Sequence, residues 1–372
     1  MQVVSFKAAT PAEFRARLND HPAATLALLF SSIEHDVAQL QTIATAHNVR
    51  VCGCSTAGEV IDGELTSGTI TGLLFTVDPN AFVTWSGIAG SIAAQAEQLG
   101  REAVERYADP HVFLLSGGMT VDGEDIIAGV RGGAGRAIKV FGGLAADDFK
   151  LEATFSFSES ETVNPGLIAV IFDGSRVALD CHTTSGWEPL GIENTITSAE
   201  GNVVHTINDE PALDFFTRFF GELTNSGVEV AAASVVNSQY PLQIQRPEGA
   251  VLRAPLMPGE DGSIVLAGGV RSGDRFRFSI APGFEVIDQT VAYFNERQAA
   301  RPAPDAVVMV SCKGRHAAFG PMLEDEVEQI HELYAAPMAG YLSYGEIGSV
   351  DGSESALHND TCCMITFRAV AS

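Results

Sequence analysis

Positively charged residues are scarce in this chain of 372 residues, which has 22 Lys and Arg against 47 Asp and Glu. The formal net charge is therefore −25 (22 − 47). Because an acidic surface repels phosphate, this composition excludes nonspecific partners such as nucleic acid and anionic membranes. Hydrophobic residues make up 46% and charged residues only 19%, so the acidic composition is that of a globular protein and not of a disordered one.

Long apolar segments and cysteines are also few. Apolar stretches such as 23–30 are far shorter than the roughly 18 residues of a membrane helix, and the start of the chain lacks the pattern of a secretory signal. Six cysteines without such a signal predict a cytoplasmic protein with reduced thiols. Cys52 with Cys54, and Cys362 with Cys363, lack the two-residue gap of a zinc knuckle, so buried thiols are favoured over a metal site.

The order of predicted strands and helices repeats along the chain. Thr10 and Pro11 mark the start of a first helix, and an apolar strand over 24–30, a helix and the strands 49–54 and 69–77 follow. A similar order recurs over 111–172 and again over 306–368. This alternation predicts an α/β (α+β) protein with mixed β-sheets flanked by helices.

One motif occurs twice in letters as well as in pattern. Residues 53–60 align without gaps on residues 340–347, in the form G-x-x-[ST]-x-G-E-[VI]. Matched context makes internal duplication the better explanation. We therefore predict two related halves, residues 1–205 and residues 206–372, with the boundary near 201–208.

Five segments along the chain, in order, resemble the FIST family, a sensory domain of bacterial signalling proteins and some eukaryotic F-box proteins. These segments are 53–60, 142–148, 185–191, 312–320 and 337–347. The resemblance spans about 24–367 and implies an N-terminal and a C-terminal FIST domain and a small-molecule ligand such as an amino acid. Because no kinase, cyclase or F-box segment is attached, it also implies a separate signalling partner, a histidine kinase or a cyclic-dinucleotide enzyme.

The C-terminal copy of the motif predicts a ligand pocket. Arg315 follows one predicted strand and Glu346 follows its neighbour, at the carboxyl ends where α/β sheets place ligands. Arginine binds a carboxylate and glutamate accepts from an ammonium group, so the two can hold both ends of an amino acid, with Ser343 or Tyr344 between them. The alternative is that Arg315 and Glu346 pair only with each other.

Four further residues are candidates with structural alternatives. Thr56 and Glu59 occupy the equivalent turn of the first copy, and Asp148 follows a glycine pair, but such residues are also ordinary turn formers. Cys312 lies close in sequence to basic residues that lower a thiol pKa, although a lone cysteine is more often inert. The acidic run 324–326 at a helix start is interpreted as solvated surface.

Enzymatic and haem functions remain as alternatives to a ligand-binding sensor. Residues 53–57 are similar to the nucleophile elbow of serine hydrolases, yet a strand and not a helix is predicted to follow, so a hydrolase is disfavoured. Some FIST-like proteins are associated with haem and nitric-oxide sensing. The sequence has no attachment motif for haem, and the possible axial ligands are His182, His205, His316 and His358.

Overall fold

The computed structural model describes residues 1–118, 121–150, 152–220, 240–246, 249–281, 283, 285–350, 352 and 354–370. Strands and helices alternate along the chain, and several mixed sheets are flanked by helices. The predicted α/β fold class is confirmed.

The strands are numbered in chain order. They are β1 (Gln2–Ala8), β2 (Leu26–Ser32), β3 (Arg50–Thr56), β4 (Glu59–Ile61), β5 (Glu64–Thr66), β6 (Ile70–Thr76), β7 (Phe82–Gly87), β8 (Pro110–Gly117), β9 (Lys139–Leu144), β10 (Ser156–Phe157), β11 (Thr162–Val163), β12 (Gly166–Asp173), β13 (Val177–Thr184), β14 (Glu188–Glu200), β15 (Val203–Ile207), β16 (Glu210–Pro211), β17 (Leu242–Arg246), β18 (Gly249–Arg253), β19 (Pro255–Pro258), β20 (Ile264–Leu266), β21 (Arg275–Ile280), β22 (Ala306–Cys312), β23 (Met338–Ser343), β24 (Glu346–Gly348), β25 (Ala356–His358) and β26 (Cys362–Ala369).

The α-helices are numbered in the same way. They are α1 (Pro11–Asp20), α2 (Val37–Ala46), α3 (Ile92–Arg106), α4 (Gly123–Ala134), α5 (Ala212–Phe220), α6 (Glu285–Ala299), α7 (Lys313–Phe319) and α8 (Met322–Tyr334). The start of α1 follows from its sequence, because the Thr10 hydroxyl accepts the Glu13 amide and Pro11 occupies the first helical turn.

Three repeats of one element order make up most of the chain. Repeat 1 runs from β1 to β6, and repeat 2 runs from β7 to β12. Repeat 3 runs from β13 to β26 and is interrupted by an insert, β14 to β21 with α5. In each repeat the two central strands are parallel, and the last strand runs antiparallel between the first strand and one central strand.

Each repeat contributes a hairpin that completes the sheet of another repeat. The hairpin β10–β11 pairs with β3, the hairpin β24–β25 pairs with β9, and the hairpin β4–β5 pairs with β23. The three sheets therefore have the orders β1-β6-β2-β3-β10-β11, β7-β12-β8-β9-β24-β25 and β13-β26-β22-β23-β4-β5. The exchange is cyclic, because each repeat receives a hairpin from one of the other repeats and contributes its own hairpin to the third.

A glycine recurs on the strand that receives each hairpin. These glycines are Gly53, Gly142 and Gly340, opposite the second residue of the incoming hairpin. A Cβ atom would lie 1.8 Å from the Leu114 carbonyl at Gly142, and 1.9 Å from the Met309 carbonyl at Gly340. The close approach of the parallel strand therefore requires glycine at Gly142 and Gly340, whereas at Gly53 a Cβ atom would lie 2.5 Å from the Phe157 ring of the incoming hairpin.

The inner faces of the three sheets share one core. Its symmetry is visible in Phe75, Phe172 and Phe367, which occupy the same register position in β6, β12 and β26. The ring of Phe367 lies 5.4 Å from that of Phe75 and 5.8 Å from that of Phe172, measured between centroids. Each sheet buries its outer face under its own helices: α1 and α2, α3 and α4, and α6 with α8. Central strands buried on both faces account for the continuous apolar runs in the sequence.

The insert forms a separate sheet with its own core, packed against α5. The boundary predicted between residues 205 and 206 falls inside β15 of this sheet, and the division into those two halves stays a prediction. The repeated motif occupies equivalent places, at β3–β4 and at β23–β24. The duplication seen in the sequence is thus part of a three-fold structural repeat, and repeat 2 does not carry the motif.

Candidate functional site

The carboxyl ends of β3, β9, β22 and β23 lie close together. Lys313, which follows β22, contacts residues that follow two of the other strands: its Nζ atom lies 2.7 Å from Asp148 Oδ1 and donates to the Ala57 carbonyl at 3.2 Å. Tyr344, which follows β23, joins the same group through Asp147. We call Asp147, Asp148, Phe149, Lys313, His316 and Tyr344 the Lys313 cluster.

Lys313 is the charge at the centre of this cluster. Its side chain is 11% exposed, whereas the side chain of its partner Asp148 is 50% exposed. The ammonium group also lies 3.3 Å from His316 Nδ1 and 5.8 Å from the centroid of the Phe149 ring. Burial and the neighbouring Lys313 charge lower the pKa of His316, so the imidazole is neutral at pH 7 and can accept from the ammonium.

Asp147 fixes the loop that carries Asp148. Its carboxylate is fully buried and accepts from the amides of Glu152 at 2.8 Å and Ala153 at 3.2 Å. The Tyr344 hydroxyl donates to Asp147 at 2.5 Å and accepts the Phe149 amide at 2.7 Å. Burial, followed by the bond to Asp147, raises the pKa of Tyr344, which therefore stays protonated and acts as the donor.

The backbone beside Asp148 is strained. Asp148 and Phe149 both adopt the left-handed conformation, with φ of 56° and 57°. Aspartate tolerates this region, but for phenylalanine it costs roughly 1–2 kcal/mol, and strain of this kind is found at functional sites. The Phe149 ring stacks on Tyr344 with centroids 5.8 Å apart, which holds the loop in place.

Arg315, predicted to bind a ligand carboxylate, is fully buried and bound to protein groups. Its Nε donates to Glu326 at 3.1 Å, and Nη2 donates to the same carboxylate and to Thr290 at 2.9 Å. Nη1 donates to the Ser185 carbonyl. The acidic partner of Arg315 is therefore Glu326 and not Glu346, and a ligand role for Arg315 stays a prediction.

The interpretation of residues 324–326 as solvated surface is wrong for Glu326. The Glu326 side chain is fully buried, whereas Glu324 and Asp325 are exposed. A signal was available, because residue 326 lies one helical turn from the buried Leu323 and Ile330 and so on the inner face of α8.

Glu59 and Glu346 occupy equivalent places and have equivalent hydrogen bonds. Glu59 accepts from the Thr56 hydroxyl, and from the amide and hydroxyl of Thr69 at 3.0 and 2.9 Å. Each glutamate thus ties the start of an exchanged hairpin to the turn that leads into the last strand. Burial raises the pKa of Glu59 despite these donors.

The C-terminal copy repeats this arrangement. Glu346 accepts from the Ser343 hydroxyl, from the Thr361 hydroxyl at 2.7 Å and from the Thr361 amide at 3.4 Å. Burial raises its pKa to about 8. The predicted residues Thr56, Glu59, Ser343 and Glu346 therefore come together in two matched pairs, whose acceptors are occupied by the protein. Their assignment to a ligand stays a prediction.

Cys312 lies at the end of β22, beside Lys313. Its Sγ atom donates to Asp360 Oδ1 at 3.8 Å, and burial, followed by the charges of Glu346 and Asp360, raises its pKa. This environment disfavours the thiolate, so it does not favour a reactive cysteine. All six cysteines are buried with free thiols.

The four histidines considered as haem ligands lie in different elements. His182 in β13 and His358 in β25 are buried, while His205 in β15 lies 3.5 Å from Asp261. His316 in α7 contacts Lys313. A cavity of about 260 Å³ between α4 and β9 is lined by no histidine. These surroundings do not fit an axial haem ligand, and haem binding stays a prediction without support from these positions.

Neither Lys313 nor Phe149 is among the site residues predicted from the sequence, although both belong to the Lys313 cluster. Lys313 is the residue directly after β22, so its position at a strand end was a usable signal. Phe149 has no signal in the sequence, because its left-handed backbone depends on the bonds that Asp147 makes to the rest of the loop.

Comparison with known proteins gives the family. The FIST N domain matches residues 25–210, and the FIST C domain matches residues 212–349. An uncharacterized protein of Methanocaldococcus jannaschii is 23% identical over an alignment of 250 residues that covers 61% of this chain. The match spans about half the length of that relative, 48%. None of the helices within the described ranges is long and apolar enough to cross a membrane. With both domain matches in order over most of its length, the chain belongs to the FIST family, whose domains are recognised as sensory domains.

Proposed function

We propose that this protein is a non-enzymatic sensor of bacterial signal transduction, which acts in the cytoplasm and binds an amino-acid-like ligand at the Lys313 cluster. The observation that carries the proposal is the ion pair between Lys313 and Asp148. The lysine is almost buried and its partner is half-exposed, with 11% and 50% of the side chains accessible. Such a pair can exchange its acidic member for a carboxylate from solution.

The exchange follows from the cost of leaving a buried charge unpaired. Asp148 is half-exposed and is readily hydrated when it leaves, but Lys313 needs an anion beside it because its surroundings are largely desolvated. A ligand carboxylate in the place of Asp148 keeps the ammonium paired, and the Ala57 carbonyl and His316 keep their contacts with it. Tyr344 and Phe149 then border the ligand with two stacked rings.

Ligand binding changes the loop because Asp148 is part of it. The residue next to Asp148 is held in a strained conformation, and release of Asp148 removes one of the contacts that maintain it. The ligand thus favours a second loop conformation, and this population shift alters the surface presented to a separate signalling partner. A histidine kinase or a cyclic-dinucleotide enzyme is the partner class that the family implies.

Two features support a binding function over hydrolysis. Ser55, at the place of a nucleophile in the sequence, is fully buried and accepts the Phe155 amide at 3.1 Å. Cys312 has a raised pKa and donates to an aspartate. Neither group has the exposed, activated setting that a nucleophile needs.

The experiment is a thermal-shift screen of the proteinogenic L-amino acids against the wild type, Lys313→Gln and Lys150→Gln. Lys150 is a matched control, because it is a lysine of the loop that carries Asp148, and its 42% exposed side chain forms an ion pair with Glu34 at 3.5 Å. A ligand at 100 times its Kd stabilises by ~2.7 kcal/mol. We expect a rise in Tm for the wild type and Lys150→Gln, and its loss in Lys313→Gln. Equal responses of wild type and Lys313→Gln, or no response at all, would contradict the proposal.

A further inference from the structure

Directly behind Lys313 lies a buried cluster with an excess of negative charge. Arg315, Glu326, Glu346 and Asp360 are each fully buried. Arg315 is the one cation among them, and its guanidinium forms a two-point contact with Glu326. When the carboxyls are ionised, one positive charge therefore faces three negative charges, and among the residues that the structure describes no cation forms an ion pair with Glu346 or Asp360.

These two carboxylates differ in their partners. Glu346 accepts three hydrogen bonds from Ser343 and Thr361, but Asp360 accepts one weak bond, from Cys312 Sγ to Oδ1 at 3.8 Å. The other oxygen of Asp360, Oδ2, has no hydrogen-bond partner in the part of the chain that the structure describes. The same holds for Oδ1 of the neighbouring Asn359. Buried acceptors are almost always paired, so these two oxygens indicate a missing donor.

Repeat 1 shows that the fold does not need an acid at this position. The hairpin pairs Glu59 with Thr66 in repeat 1 and Glu346 with His358 in repeat 3, so Gly68 and Asp360 both stand two residues further along. Both adopt the left-handed conformation, with φ of 72° and 53°. A glycine satisfies this turn without strain and without a buried charge, so the turn itself does not require Asp360, and a carboxylate with an unpaired oxygen is the residue type expected of a binding site.

Asp360 is joined to the Lys313 cluster through Cys312. The Cys312 amide donates to the Thr361 carbonyl at 3.0 Å, and its thiol contacts the Asp360 carboxylate. Cys312 and Lys313 are consecutive, so the Asp360 carboxylate contacts the residue that directly precedes the proposed carboxylate-binding lysine.

We propose that Asp360 binds the ammonium group of the ligand whose carboxylate is held by Lys313, with Asn359 as a second acceptor; this inference rests on the function proposed above. An ammonium group donates three hydrogen bonds and suits a site with two or three oxygens. A hard metal ion needs six or more oxygen ligands, and no group of three or more acidic, histidine or cysteine side chains in the described ranges is placed to hold a metal.

The first test needs no ligand. A carboxylate kept for binding destabilises the free protein, so we expect Asp360→Asn and Asp360→Gly to raise Tm at pH 8 by about 1–4 °C. Asparagine tolerates the left-handed turn, and glycine is the residue of repeat 1. Asp147→Asn is the control, because Asp147 accepts two amides and a hydroxyl, and this variant should lower Tm. A lower Tm for both Asp360 variants would overturn the proposal.

The second test uses methylammonium chloride as the probe, compared with tetramethylammonium chloride and sodium chloride at equal ionic strength. We expect methylammonium to raise the Tm of the wild type above the sodium control, and to lose this effect in both Asp360 variants. Tetramethylammonium cannot donate a hydrogen bond and should match sodium. A methylammonium effect retained in the variants, or absent from the wild type, contradicts the ammonium site. Such a failure leaves the Lys313→Gln screen unchanged, so it is distinguishable from a failure of the proposed function.

Discussion

Replacement of Arg315 by methionine should destabilise the protein strongly. The guanidinium donates to Glu326, Thr290 and the Ser185 carbonyl, and all of its surface is buried. Methionine retains most of the aliphatic volume, so the loss comes from the polar contacts and not from a cavity. Removal of one member of a buried ion pair costs about 3–5 kcal/mol, because the remaining charge is left without compensation.

The assay is urea unfolding followed by tryptophan fluorescence, since the Arg315 guanidinium lies 5.6 Å from the centroid of the Trp187 ring. A double-mutant cycle with Glu326→Leu separates the ion pair from the other contacts. Each single variant should lose about 3–5 kcal/mol, and the double variant should lose clearly less than the sum. A loss below about 1 kcal/mol for Arg315→Met would refute the reasoning, and would return Arg315 to the role of an available ligand contact.

Two further predictions concern stability. Burial raises the pKa of Glu346 to about 8 and that of Asp360 to about 7, above the ordinary values near 4. Between about pH 4 and pH 8 these two groups therefore bind more protons in the folded protein than in the unfolded chain. The stabilising contribution of these two groups is therefore full below about pH 4 and is lost as the pH rises to about 8, and between these values urea midpoints of Asp360→Asn should fall less steeply than those of the wild type. Gly340→Ala should cost about 4 kcal/mol or more, or prevent folding, because its Cβ atom would lie 1.9 Å from a carbonyl oxygen. Gly132→Ala on α4 has open space around the new methyl group and should stabilise the protein by about 0.5–1 kcal/mol. Circular dichroism melts compare the two variants directly, and equal melting temperatures would contradict the close approach of the strands.

Periodicity predicted the elements of the fold well because the signals were local. The capped start of α1, the alternation of apolar strands and amphipathic helices, and the helix at 285–299 all follow from neighbouring residues. The exchange of hairpins could not be predicted in this way, because β4 pairs with a strand about 280 residues away in the chain. No local pattern indicates which strand will pair with a hairpin whose own strands are two or three residues long.

The candidate site shows the same division. The sequence placed Asp148 and Tyr344 at strand ends, and the structure brings both into the Lys313 cluster. It also offered Arg315 and Glu346 either as two ligand contacts or as partners of each other, whereas the fold supplies Glu326 of α8 as the acidic partner of the arginine. Long-range packing decides which acid reaches a buried cation, and the local patterns of a single sequence do not show that packing.

The exchange of acids on Lys313 is the central claim, and calorimetric titration of Asp148→Asn tests it most directly. The titrant is the amino acid that gives the largest rise in Tm. Because Asp148 competes with the ligand carboxylate for the ammonium, its neutralisation should tighten binding, by about fivefold for a pair worth about 1 kcal/mol. Lys313→Gln should show no measurable binding under the same conditions. Weaker or unchanged affinity of Asp148→Asn would contradict the account.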